Sequence, residues 1–124
     1  MSFLSAFNSK LIDFFKELSE TFPEEREIRG ALDAIQGARK INPRLILDLF
    51  YEHVARDLKD AIMEQNDAKI VAIAREKIQK QFNEIMPALA IFDKHWDTLS
   101  DGNKDVIWKW LKLLIVLCDK ARGS

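Results

Sequence analysis

Residues 106–118 read VIWKWLKLLIVLC. Eleven of the thirteen are apolar, and only Lys109 and Lys112 interrupt them. At about 100° per residue, Lys109, Lys112, Asp119 and Lys120 share one sector roughly 100° wide. Val106, Ile107, Trp110, Leu111, Leu113, Leu114, Leu117 and Cys118 fill the opposite arc, which spans about 200°. An ordinary surface helix buries a stripe of about 100°. The segment is therefore expected to be the central helix of the fold, with others packed around it. Trp110 falls near the middle of the apolar arc, Trp108 at its edge, and Val116 within the lysine sector. A membrane span needs about 20 apolar residues, so a buried core helix is the reading taken.

The totals agree with a single domain spanning residues 1–124. The chain is long enough to bury a core without metal or disulfide staples. It is 48% apolar and 31% charged, which excludes a disordered chain. A net charge of −1 offers no global attraction to nucleic acid or anionic lipid. Cys118 is the only cysteine. It sits in the apolar arc and reads as an inert thiol, and the lack of a disulfide partner fits a reducing compartment. The N-terminal MSFLSAFNSKLIDFF has helically spaced apolar residues and neither the basic region nor the cleavage site of a signal peptide. It is kept in the fold, and an intracellular rather than secreted protein is expected.

With four glycines, three prolines and no convincing period-two alternation, helix signals organise the whole chain. A first helix over about residues 3–20 carries Leu4, Phe7, Leu11, Phe14, Phe15 and Leu18 on one stripe. A second covers about residues 23–40, with Pro23 in its first turn, a thin face of Ile28, Ala31, Leu32, Ile35 and Ala38, and Arg39 and Lys40 at its C-terminal end. Thr21 and Glu24 have capping-box spacing, but Pro23 disfavours helical geometry at Phe22, so that cap stays open. Asn42-Pro43 marks the start of a third helix, running to about residue 64. Its broad face holds Ile46, Leu47, Phe50, Tyr51, Val54, Leu58, Ala61 and Ile62, with Leu49 and Met63 pointing elsewhere. Asn66-Asp67 makes the next turn, with Asp67 as cap.

From Ile70 to Leu99, apolar residues stay in helical phase across Pro87. The phase favours one long helix kinked at Pro87; a break near residues 83–86 is the alternative, because an interior proline costs about 3 kcal/mol. Ser100 to Asn103 forms a turn and cap before the last helix. The expected fold is all-α: a compact bundle of five helices, or six if Pro87 breaks one, around the apolar C-terminal helix.

Motifs that carry chemistry are absent from the sequence. His53 and His95 are each preceded three residues earlier by a phenylalanine, not the glutamate of a carboxylate-bundle metal site. One cysteine and two scattered histidines make no structural zinc site. There is no nucleophile elbow, phosphate loop, dinucleotide fingerprint or calcium loop. Gly30 and Gly37 read as small-residue helix packing. No catalytic residue, cofactor or metal is assigned, and a non-enzymatic role is expected. Basic residues gather at Arg26, Arg29, Arg39, Lys40 and Arg44, and at Lys69, Arg75, Lys77 and Lys80, but acids are interleaved, as on ordinary charged surfaces.

Apolar residues offer more. A small bundle cannot bury every face, and Phe3, Leu49, Trp108 and Val116 are the apolar residues least suited to the core. Exposed groups of this kind mark interfaces, so these four are the interface candidates.

Four segments, FNSKLIDFFKELSETFPEE, KINPRLILDLFYEHV, ALAIFDKHW and IWKWLKLL, give the chain a resemblance. It resembles a family of short helical proteins encoded by large double-stranded DNA viruses of algae and protists. The segments are helix caps and core stripes, so the resemblance supplies no functional residues. It implies a viral origin and a place in the infected host cell or in the virion. The expected function is a viral structural or protein-interaction role through an apolar helix face, with self-association into a homo-oligomer. Two alternatives stand beside it: a helical regulator that binds an amphipathic partner helix in a hydrophobic groove, and a nucleic-acid-binding module using the Arg26–Arg44 region.

Overall fold

Ser2 starts the fold, its hydroxyl accepting the Ser5 N–H at 3.1 Å. That cap opens α1, Phe3–Thr21, which buries Phe7, Asn8, Leu11, Ile12, Phe14, Phe15 and Leu18. In the computed structural model, which describes residues 2–80 and 86–123, five further helices follow. They are α2, Arg26–Ile41; α3, residues 45–63; α4, Asp67–Lys80; α5, Met86–Lys94; and α6, Asp101–Gly123. A short 3-10 turn, Trp96–Thr98, precedes α6. Among the described residues there is no strand, so the fold is an all-α bundle of six helices.

Helix α1, not α6, holds the middle position. It packs along both α2 and α6 and also touches α3. Its buried residues cover an arc of about 160°, against about 120° for α6. Packing on several sides explains why Asn8 and Ile12 are buried beyond the expected stripe. Helix α6 leans on α1, on α3 and, through Trp108, on Phe92 and Trp96.

Residues 45–63 form one continuous helix in three parts: α-helical over Leu45–Phe50, π-helical over Tyr51–Ala55 and α-helical again over Arg56–Met63. The Arg56 N–H reaches back five residues to the Tyr51 carbonyl. Under a constant 100° per residue, the buried residues after this turn would sit about 70° ahead of those before it. A π turn absorbs one extra residue without advancing the face. It realigns Val54, Ala55, Leu58, Ala61 and Ile62 with Ile46, Leu47 and Phe50. Ala55 enters the core in consequence, and Tyr51, expected there, is half-buried beneath the Arg122 guanidinium. Gln65 then ends α3 in a left-handed conformation, φ 54°, with the Asn66 N–H donating to the Ala61 carbonyl at 2.9 Å.

The reading of one long helix kinked at Pro87 is overturned. In such a helix Asp67 and Trp96 would stand about 43 Å apart at 1.5 Å per residue. Instead the Trp96 indole N–H donates to the Asp67 carboxylate at 3.1 Å, and Arg75 meets Asp93 at 2.5 Å. The chain reverses, α4 and α5 pack side by side, and Pro87 occupies the first turn of α5, where its missing N–H costs nothing. Residues 81–85, which include Phe82, Ile85 and most of the alternative break at 83–86, lie outside the described residues.

Smaller expectations also shift. Pro23 lies in the turn before α2, and Thr21 donates to the Glu17 carbonyl at 2.9 Å instead of joining a capping box. Asn66, not Asp67, caps α4, accepting the Lys69 N–H at 3.2 Å. Ser100 caps α6 as expected, accepting from the Asn103 N–H at 3.1 Å. Gly30 and Gly37 face open space, so close helix packing does not explain them.

Candidate interaction surface

Helix α6 carries two apolar faces. Ile107, Trp108, Leu111, Leu114, Ile115 and Cys118 enter the core. About 150° from the centre of that face, Val106 (40% exposed) and Leu113 (39%) point outward, with Trp110 and Leu117 half-buried between the two faces. Val116 extends this stripe on its lysine side at 43% exposure. Val106, Lys109, Trp110 and Leu113 line a shallow depression in it.

Two of the four interface candidates lie on this surface. Val116 is on the stripe, and Phe3, 45% exposed, stands at its far end, with the Lys120 ammonium 5.3 Å from its ring. Leu49 is half-buried against the core on α3. Trp108 is a correction: it is only 6% exposed. It sits edge-on to Trp96 at 5.2 Å and near Phe92 at 6.2 Å, in an aromatic cluster that the reversal after α4 brings against α6. Val106 and Leu113 were missed because both were assigned to the buried arc. The signal was the 200° width itself, about twice what one helix face buries; which half stays outside depends on where α1 and α3 pack.

The stripe has unlike edges. On the α6 side it is bordered by exposed Lys109 and Lys120. On the other side runs α1, antiparallel to α6, with Phe14 5.7 Å from Trp110 and the Glu17 carboxylate accepting the Trp110 indole N–H. Helical spacing sets the exposed Asp13 and Glu20 on the outer flank of α1 beside Glu17, with one lysine, Lys10, toward Phe3.

Titratable groups elsewhere are tied to other elements. Glu25 receives His95 Nε2 at 2.9 Å and Lys94 Nζ at 3.4 Å, and the His95 hydrogen bond holds its carboxyl below the usual range. Phe22 packs over the same imidazole at 4.7 Å. Asp57 is held low chiefly by the hydrogen bond from Lys77 at 2.7 Å. Burial pushes the Cys118 thiol up to about 11, with Asp119 adding to the effect. Among the described residues, no group of three or more His, Cys, Asp or Glu is placed to hold a metal ion. Within the basic stretch 26–44, Arg39 donates to Ser9 and Arg44 pairs with Asp48 at 3.7 Å, while Arg26 and Arg29 are exposed. Among the described residues no helix is long and apolar enough to cross a membrane.

Compared with known proteins, the chain matches no protein-family model, no curated protein and no solved structure. The class its own geometry defines is an all-α six-helix bundle with an apolar stripe on its C-terminal helix.

Proposed function

We propose that this protein is a non-enzymatic interaction protein that self-associates through the outward face of α6. One observation carries the reading: Val106, Leu113 and Val116 stand exposed on a single helix beside half-buried Trp110 and Leu117. Scattered exposed apolar residues are normal on any surface, but a row of them along one helix marks an interface. Ile41 and Leu45, exposed where α2 meets α3, lack such a row. The resemblance to viral proteins extends the proposal to a structural or scaffolding role in an infected cell or virion.

Light scattering or sedimentation across concentration tests it. The wild-type mass is expected to rise toward a dimer, and Leu113→Asp to raise the dissociation constant at least about tenfold, one buried apolar contact being worth at least 1.4 kcal/mol. A wild-type monomer up to about 1 mM, where even a millimolar dissociation constant shows, overturns the reading. Capture of an amphipathic helical peptide by that monomer would favour the groove alternative.

A further inference from the structure

We propose that the partner on the α6 stripe is a second copy of this chain bound with the two α6 helices running parallel, so that each copy's Lys109 faces the Asp13–Glu17 edge of the other's α1. The inference rests on the self-association proposed above and adds its geometry. Two faces brought together by a two-fold axis share an axis lying in the contact plane. If that axis runs across α6, the helices are antiparallel and each edge meets itself. If it runs along α6, the helices are parallel and each edge meets the opposite one.

The edges of this stripe are unlike, and that decides between the two. One edge carries Lys109 and Lys120; the other carries Asp13, Glu17 and Glu20, with Lys10 between them and Phe3. An antiparallel pair centred on Leu113 brings Lys109 and the second copy's Lys120 to the same edge, about 4.5 Å apart along the axis. A parallel pair keeps positions at the same height. Trp110 lies level with Phe14 and Glu17, so Lys109 arrives level with the second copy's Asp13 and Glu17. Val116 arrives nearer the Phe3 end. Like charges facing each other disfavour the first arrangement, and opposite charges favour the second. A shallow crossing near 20°, the usual angle for near-parallel helices, keeps the whole stripe in contact.

Charge exchange reads the sign directly. Lys109 and Asp13 are both exposed, so substituting them leaves the core untouched. K109E is expected to weaken the dimer about tenfold, since it replaces two symmetric attractions with two repulsions. D13K is expected to weaken it similarly, and the K109E/D13K double variant to return to within about threefold of wild type. V106C supplies a second reading. In the parallel arrangement the two residues at position 106 meet and form an intermolecular disulfide on oxidation; in the antiparallel one they lie about 21 Å apart. Cys118 is fully buried and stays out of the reaction. A dimer that K109E tightens or leaves unchanged, or one in which V106C fails to bridge, overturns the parallel geometry while self-association stands. A wild-type monomer at every concentration overturns both.

Discussion

Trp108 and Trp110 are separated by about 200° on α6, and the bundle uses them differently. Trp108 closes an aromatic cluster with Phe92 and Trp96, whose rings stack at 4.6 Å. Trp110 lies over Phe14 with its N–H held by Glu17, half in the core and half on the stripe. Trp108→Ala is expected to cost about 3–5 kcal/mol by denaturant titration, as other large-to-small aromatic truncations do. It should leave the concentration dependence of the folded fraction's mass as in wild type. A loss under about 1 kcal/mol, within the range of surface substitutions, together with a changed mass would return Trp108 to the interface. The sequence made α6 legible as an over-apolar helix but not how to divide its apolar arc. Hydrophobicity places Trp108 at the edge and Val106 and Leu113 inside; the neighbours reverse this. Only the positions of α1 and of the Phe92–Trp96 cluster separate the two faces, and no local pattern carries them.

The cap before α6 was legible because a single hydroxyl, that of Ser100, writes it. The reversal between α4 and α5 was not, because phase across Pro87 is kept equally by one kinked helix and by two antiparallel helices of matching register. The residues that distinguish them, Asp67 with Trp96 and Arg75 with Asp93, are far apart in sequence and meet only in the fold. The π turn was hidden for a related reason: a broad apolar face tolerates a drift of about 70° before it looks wrong. That account predicts an asymmetry between losing and gaining a residue at exposed Glu52. Deletion turns residues 51–55 into ordinary α-helix and keeps the two buried faces in phase. The variant should fold, with a loss near that of an ordinary substitution, about 1 kcal/mol. Inserting an alanine beside Glu52 instead rotates everything after it by about 100°, which should abolish cooperative thermal unfolding followed by circular dichroism. Deletion as damaging as insertion would show that the π turn does more than restore phase.

Across the whole molecule, ion pairs tie together elements that the chain separates. Glu25 reaches His95 and Lys94 across 70 and 69 positions, and Asp57 reaches Lys77 across 20. Both carboxyls are held below their ordinary values, Glu25 chiefly by the His95 hydrogen bond and Asp57 chiefly by that of Lys77. A carboxyl whose pKa is lower in the folded than in the unfolded chain binds fewer protons there, so the stability it adds is complete above the unfolded value, about 4. That contribution falls as the pH drops through the lower folded value. Stability from urea titrations should therefore decline between about pH 5 and pH 3 as these clamps protonate. The double substitution Glu25→Gln with Asp57→Asn removes both titrations. It should be less stable than wild type at neutral pH, where the charged pairs are intact, and should lose less on acidification. The two curves should converge toward pH 3. Equal slopes in the two proteins would place the acid sensitivity in other carboxylates and leave these pairs as geometry without linkage.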